Sequence, residues 1–242
     1  MDNVDILIVG QGYVGKGLAE RLRHRGTVHT YDQKTDDPSV LESYRTLDIN
    51  TVVFAIDLDL NRPDVTTVKL QNLLNFYALV AKDALFVIAS TVQPEMLDEL
   101  KFPNPTVLLP EFFTAKELDQ SRGNIWEHVV LGVDDKQAHH MALDLLDPVY
   151  FPSISLQVVS RKEAALIKLA TNAYLAMRVT YMNSLADMAS DMGCNALSVL
   201  RGVTADERIG EDYAKPSFAY SGPCLPMCTD VLAGPLLSLI HI

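Results

Sequence analysis

The chain has 242 residues, 48% of them hydrophobic and 21% charged, which is the balance of an ordinary globular protein. Its formal net charge of −11 argues against nucleic acid as a partner, because the phosphate backbone would be repelled. Three cysteines, an odd number, favour a reducing compartment over a disulfide framework. We find no apolar stretch long enough to span a membrane and no signal-peptide pattern, so composition predicts a cytoplasmic protein without a membrane partner.

The first 158 residues alternate β-rich runs with amphipathic helical stretches. Buried parallel strands are predicted over 5–9, 27–31, 51–56, 85–90, 106–109 and 128–133. Helical periodicity lies over 13–23, 65–80 and 136–146. The alternation predicts an α/β fold with a Rossmann-type doubly wound parallel sheet over 1–158, and the mixed segment around Pro148, Pro152 and 153–160 marks its boundary.

A long helix is predicted next, over 161–190, because this segment contains no Gly or Pro and is dense in Ala, Leu and Met. Gly193 is placed to end it. The helix is the basis of a predicted central helical domain over 159–236. Its apolar residues run almost all the way round, so we expect burial between domains or subunits. A homodimer with Ala173, Met177 and Tyr181 in its interface would provide this, and an intramolecular core is the alternative.

The last six residues, LSLIHI, match the translation of a common sequencing adapter. The hypothesis is that the native chain departs from the printed one near Leu236 or Leu237, leaving 237–242 as a non-native tail. A short apolar strand is the alternative.

A glycine-rich turn near the N-terminus predicts a dinucleotide site. In ILIVGQGYVGKGLAERL, the glycines Gly10, Gly12 and Gly15 have G-x-G-x-x-G spacing between a strand and a helix. Asp32 ends the next strand, where an acid would bond ribose hydroxyls and repel a 2′-phosphate, so NAD is favoured over NADP. A glycine-rich turn with a solvated aspartate is the alternative. The predicted NAD contacts are the three glycines, Tyr13, Val14, Asp32 and Lys34.

Two further patterns suggest chemistry. Lys168 and Asn172 are four apart on the long helix, so they share one face and could stabilise the oxyanion of an oxidised alcohol; a solvated stripe is the alternative. Cys224 lies in the Gly/Pro-punctuated segment PSFAYSGPCLPMCTD, which predicts a loop. A thiolate there could trap an aldehyde after a first oxidation, whereas a buried structural cysteine is the simpler explanation of a lone thiol.

The segments EAALIKLATNAYLAMRVTYMNSLADMA and DERIGEDYAKPSFAYSGPCLP resemble the UDP-glucose 6-dehydrogenase branch of the nucleotide-sugar dehydrogenase family. The similarity runs from GQGYVG to about Asp230. It implies an NAD-dependent enzyme that oxidises UDP-glucose to UDP-glucuronate by a four-electron reaction, and a dimer built through the long helix.

The resemblance also implies residue roles. Cys224 matches the nucleophile, Lys168 the oxyanion-stabilising lysine, Asn172 its amide partner, and Thr91 the threonine that helps position water near the reacting carbon. Glu111, in LLPEFF, matches the glutamate beside the nicotinamide and substrate. Thr91 and Glu111 are also implied as cofactor contacts. The implied substrate contacts are Glu111, Lys168, Asn172, Arg208, Phe218, Tyr220, Ser221 and Gly222.

Departures from the family pattern leave alternatives open. Met227 and Cys228 stand where the family has Lys and Asp, and an ungapped comparison puts Ala115 at another family carboxylate, for which Glu117 is a substitute if the loop is shifted. The family's C-terminal domain is not in the sequence. The alternatives are a two-electron hydroxyacid dehydrogenase, a dehydrogenase of another nucleotide sugar, and a catalytically impaired nucleotide-binding protein.

Three other residues carry little functional signal. His139 and His140 are interpreted as a solvated helix face rather than a metal site. Cys194 is interpreted as a packing residue.

Overall fold

The computed structural model describes residues 4–112, 128–147, 155–214 and 224–240, and at 224 and over 234–240 it describes the backbone alone. It divides into two compact units, 1–168 and 169–242. The predicted residues Ala115, Glu117, Phe218, Tyr220, Ser221 and Gly222 lie outside the described residues. Within the described ranges, no helix combines the length and apolarity needed to cross a bilayer.

The first unit is built on a seven-stranded sheet in the order β2-β1-β3-β4-β5-β6-β7. The strands are β1 (Val4–Val9), β2 (Gly26–Tyr31), β3 (Ile49–Phe54), β4 (Leu85–Ile88), β5 (Thr106–Leu108), β6 (His128–Gly132) and β7 (Ser155–Val159). All neighbours pair in parallel except β5 and β6, which are antiparallel. The doubly wound fold is therefore confirmed, whereas the prediction that 128–133 runs parallel throughout is wrong at its β5 edge.

Helices connect the strands and continue into the second unit. They are α1 (Tyr13–Leu22), α2 (Ser39–Tyr44), α3 (Pro63–Val80), α4 (Met96–Glu99), α5 (Lys136–Leu145), α6 (Arg161–Asp191), α7 (Ala196–Thr204) and α8 (Cys224–Ile240). Core residues of β1, β3 and β4, such as Ile6, Val53 and Val87, are at most 1% exposed. Burial on both faces is what the continuous apolar runs predicted.

The long helix α6 is confirmed, and its ends have clear causes. At the start, Ser160 and Glu163 form a capping box: the Ser160 backbone N–H donates to the Glu163 carboxylate and the Glu163 N–H donates to Ser160 Oγ. The Ser160 hydroxyl also donates to the Glu163 carboxylate at 2.7 Å, and this bond, followed by that of the Ser160 N–H, lowers the pKa of Glu163. At the end, Gly193 has a φ of +71°, and Cys194 N–H donates to the Ala189 carbonyl, which is a Schellman motif. Cys194 is exposed, so its prediction as a packing residue is wrong.

Two elements differ from their predictions. Strand β7 occupies part of the segment predicted as a boundary; it is a half-exposed edge strand, so its polar Ser and Gln residues hid the strand pattern. Cys224, predicted in a loop, is the first residue of α8. Pro226 is compatible with this because a first helical turn needs no intrahelical donor at that position.

The predicted domain boundary at 158/159 stays a prediction. The division between the compact units falls inside α6, after Lys168. Ala164 and Ala165, in the first turns of α6, are at most 2% exposed, and the Cα of Arg161 and the Cβ of Ala164 lie against Gly132 of β6.

Candidate functional site

The glycine turn after β1 has two glycines that the fold requires and one that leaves space. Gly10 has a φ of +99°, and a Cβ there would lie 2.3 Å from the Ala55 carbonyl oxygen. A Cβ on Gly15 would lie 1.9 Å from the Gly10 carbonyl oxygen. A Cβ on Gly12 would meet no atom within 4 Å. Because Gly12 is the N-cap of α1, the open space lies where backbone N–H groups and the helix dipole favour an anion.

Asp32, just after β2, is held as an ionised acceptor beside this turn. Its Oδ2 accepts the Gln11 N–H at 2.8 Å and its Oδ1 accepts the Lys34 N–H at 2.9 Å. These two bonds, that of Gln11 first, lower the pKa of Asp32. A carboxylate has further lone pairs, so Asp32 can still accept from ribose hydroxyls.

The glycine space, the α1 N-terminus and Asp32 therefore fit a dinucleotide. They lie at the carboxyl edge of the sheet, where the strand order reverses between β1 and β3. Tyr13, 45% exposed, opens α1 at the same place, followed by the partly buried Val14, and Lys34 is exposed beside Asp32.

Thr91 follows the carboxyl end of β4 and is partly buried. Its neighbour Ser90 fixes this edge: the Ser90 hydroxyl accepts the Ile56 N–H at 2.9 Å and lies 2.8 Å from the Ile56 carbonyl oxygen, to which it can donate. Ser90 thereby ties the end of β4 to the end of β3, next to the glycine turn. This role was not predicted from the sequence. The signal was a serine at the end of a buried apolar run, because a buried hydroxyl needs a hydrogen-bond partner.

Glu111 and Lys168 meet in the first unit. The Lys168 ammonium donates to the backbone carbonyl of Glu111 and lies 4.8 Å from the centre of the Phe112 ring. The Glu111 side chain points elsewhere, to Arg21 on α1: Arg21 Nη1 lies 3.4 Å from Glu111 Oε2, and both side chains are at least 93% buried. The burial of Arg21 could not be expected from its position in a run of charged residues.

Asn172 and Cys228 meet in the second unit. Asn172 Nδ2 donates to Cys228 Sγ at 3.3 Å, and the two residues are 6% and 0% exposed. The buried Cys228 thiol therefore accepts a hydrogen bond from the predicted amide. Cys224 lies four residues before Cys228, at the start of the same helix.

Arg208 lies on an exposed turn. Its guanidinium binds the Asp206 carboxylate through Nε at 3.0 Å and Nη2 at 2.6 Å, and its side chain is 89% exposed. Arg178, which the sequence analysis missed, donates through Nη2 to the Gly210 carbonyl at 2.6 Å and so ties this turn to α6. Gly210 has a φ of +67°, which explains the glycine of the RIG segment.

Among the described residues, no three His, Cys, Asp or Glu side chains converge as ligands for an ion.

The region that contains most of α6, together with α7 and part of α8, matches a known family model. Residues 162–236 match the family model described as "UDP-glucose/GDP-mannose dehydrogenase family, central domain". This part of the chain is therefore similar to the central domain of that family.

Curated relatives with this family's activity in their names match the chain. The UDP-glucose 6-dehydrogenase of Rhizobium meliloti (strain 1021) is 35% identical over 105 residues, which cover 43% of this chain and 24% of that protein. That of Streptococcus pneumoniae is 28% identical over 271 aligned positions, covering 94% of this chain and 67% of that protein. The chain thus spans about a quarter to two-thirds of the length of these relatives.

Solved structures share the fold. A UDP-glucose dehydrogenase from Pyrobaculum islandicum has a TM-score of 0.71 at 19% identity, covering 98% of this chain and 65% of that one. A 3-hydroxyisobutyrate dehydrogenase from Mycobacterium tuberculosis has a TM-score of 0.65 at 14% identity, covering 97% of this chain and 88% of that one. The fold alone therefore does not separate nucleotide-sugar from hydroxyacid dehydrogenases.

Proposed function

We propose that the protein oxidises the primary alcohol of a nucleotide sugar, UDP-glucose, to the carboxylate with NAD. The observation that carries the proposal is the pairing of two features in the first unit. A glycine turn with an open Gly12 and an ionised Asp32 fits a dinucleotide, and the Lys168 ammonium is held at the Glu111 carbonyl that follows β5. The central-domain match over 162–236 supports the substrate class.

Each residue has a separate task in this proposal. When bound, NAD accepts a hydride in each of two oxidations. The Lys168 ammonium and the Asn172 amide stabilise the negative charge that develops on the alcohol oxygen. The Cys224 thiolate adds to the aldehyde carbon and forms a C–S bond, the second oxidation turns this adduct into a thioester, and water near Thr91 releases the carboxylate and the thiol.

The electron count distinguishes this reaction from simpler ones. An alcohol, two NAD⁺ and one water give a carboxylate, two NADH and three protons. A hydroxyacid dehydrogenase would remove only two electrons and would have no need of Cys224. The proposed substrate contacts are Glu111, Lys168, Asn172, Arg208, Phe218, Tyr220, Ser221 and Gly222.

Cys224→Ser tests the covalent step. A serine hydroxyl is far less nucleophilic than a thiolate at neutral pH, so we expect the variant to form no glucuronate from UDP-glucose. Cys194→Ser is the matched control, because Cys194 is an exposed thiol; it should form glucuronate at the wild-type rate. Undiminished glucuronate formation by Cys224→Ser would rule out the thioester route.

We also propose a homodimer through α6. Met177 and Tyr181 are 60% and 59% exposed on this helix, whereas Ala173 is 9% exposed. They line a shallow groove of about 300 Å³ together with Ala176, Thr180 and Thr229. Exposed apolar side chains beside such a groove are typical of a surface that a partner covers.

A further inference from the structure

A buried ion pair links the dinucleotide helix to the residue that holds Lys168. Arg21, in the last turn of α1, is 7% exposed and lies 3.4 Å from the Glu111 carboxylate, whose side chain is 4% exposed. The backbone carbonyl of Glu111 accepts the Lys168 ammonium. One residue, Glu111, is thus fixed through its side chain by α1 and presents its backbone to α6.

Burying both partners of an ion pair is costly, and apolar replacements are often at least as stable. Stability alone is therefore a weak explanation for this pair. Its geometry suggests another: Glu111 follows β5 outside any strand or helix, so a side-chain contact can help to fix the direction of its backbone. The Arg21 guanidinium supplies a charged contact of this kind, with Nη1 3.4 Å from Glu111 Oε2.

We propose that Arg21 is a positioning residue that orients Lys168 through Glu111. Arg21 holds the Glu111 carboxylate, the fixed backbone presents its carbonyl, and the carbonyl holds the Lys168 ammonium above the Phe112 ring. The catalytic consequence rests on the proposed function of Lys168. The structural consequence, that the Lys168 amine is held in place, is independent of that proposed function.

The nearby Arg25 provides a matched control. Its side chain is also 7% exposed and pairs with a carboxylate, Asp144 of α5, at 3.0 Å. Arg25→Met therefore removes a buried guanidinium and an ion pair a few residues beyond α1, but away from Glu111. Arg21→Met removes the same chemical group from the proposed chain of contacts.

Two measurements test the proposal on the purified protein. The first is the rate at which an amine-reactive acylating reagent modifies Lys168, followed by peptide mass spectrometry, with the exposed Lys162 as internal reference. The second is kcat with UDP-glucose and NAD, together with the Kd for NAD. If Arg21→Met cannot be purified folded, Arg21→Gln, which keeps a donor without the charge, replaces it.

We expect Arg21→Met to raise the Lys168 modification rate several-fold and to lower kcat about 10- to 100-fold, as for a misplaced catalytic group. The Kd for NAD should stay within about twofold, since Gly10 and Gly12 lie at the other end of α1. Arg25→Met should change neither the Lys168 modification rate nor kcat. Arg21→Lys, which keeps the positive charge, should bring both values most of the way back to those of the wild type.

An unchanged Lys168 modification rate in folded Arg21→Met would overturn the proposal. So would an equal change in Arg25→Met, or a loss confined to NAD affinity. If the wild-type protein makes no NADH from UDP-glucose, the proposed function fails, while the modification rates still decide the role of Arg21.

Discussion

In the glycine turn, the same substitution, Gly to Ala, should have different effects at two positions. At Gly15 it should lower stability, and at Gly12 it should lower NAD affinity. In Gly15→Ala the new Cβ would lie 1.9 Å from the Gly10 carbonyl oxygen and 2.9 Å from its carbon, both backbone atoms that cannot move aside cheaply. In Gly12→Ala the new Cβ would meet no atom within 4 Å, and the backbone φ of −71° suits alanine. The first change is therefore a packing conflict, and the second fills only the open space.

The magnitudes follow from these contacts. Overpacking costs about 1–3 kcal/mol, and a contact this short belongs at the upper end, so Gly15→Ala should lose about 3 kcal/mol of unfolding free energy. For a chain of 150–250 residues this lowers Tm by roughly 6–12 °C. Gly12→Ala should change Tm by less than about 2 °C, because only small cap and chain-entropy effects remain. If the open space receives the pyrophosphate, the same methyl should weaken NAD binding about tenfold or more, since tenfold corresponds to about 1.4 kcal/mol.

Differential scanning fluorimetry and isothermal titration with NAD measure both quantities. Gly12→Ala should melt like the wild type without NAD and show a much smaller rise in Tm when NAD is added. Wild-type NAD affinity in Gly12→Ala would refute the assignment of this space to the cofactor. A Gly15→Ala protein as stable as the wild type would refute the packing argument itself.

Three further predictions concern Asp32 and α6. Since hydrogen bonds lower the pKa of Asp32 below its ordinary value of 3.8, its carboxylate is present at all pH values above that range. The contribution of Asp32 to NAD binding and to folding should be constant from about pH 5 to 8 and should be lost only as the pH falls through the lowered pKa. A decline in NAD affinity that begins near pH 6 in the wild type and is absent in Asp32→Asn would contradict this. Asp32→Asn should also lower the ratio of the Kd for NADP to the Kd for NAD, because the charge that repels a 2′-phosphate is removed. Met177→Glu should convert the dimer to a monomer in light scattering, whereas Leu79→Glu, at an 80% exposed position on α3, should leave it dimeric; a wild-type monomer at micromolar concentration would exclude the interface.

Much of the fold could be predicted because the sheet is buried on both faces. Continuous apolar runs such as 6–9 and 85–89 have few alternatives to a buried strand, and α6 contains no Gly or Pro that would stop a helix. The antiparallel direction of β6 against β5 could not be predicted, because strand direction depends on partners that local pattern does not encode. Strand β7 was not predicted because it is an edge strand with mixed polarity. The start of α8 was not predicted because Pro226 lies in its first turn, and proline usually indicates a loop.

The site divides in the same way. Gly10, Gly15 and Asp32 act through local backbone geometry, so their spacing alone pointed to their structural roles. The partner of Lys168 is a backbone carbonyl, which no residue type reveals. Arg21 lies in the charged run ERLRHR, where burial at one position is invisible without the packing of α1.

The amount of NADH formed per UDP-glucose tests the central claim most directly. Limiting UDP-glucose is incubated with excess NAD and the purified protein until absorbance at 340 nm stops rising, and the sugar product is identified by mass spectrometry. The proposed function predicts two NADH per UDP-glucose and a glucuronate product. One NADH per substrate, with an aldehyde or ketone as the product, would contradict it.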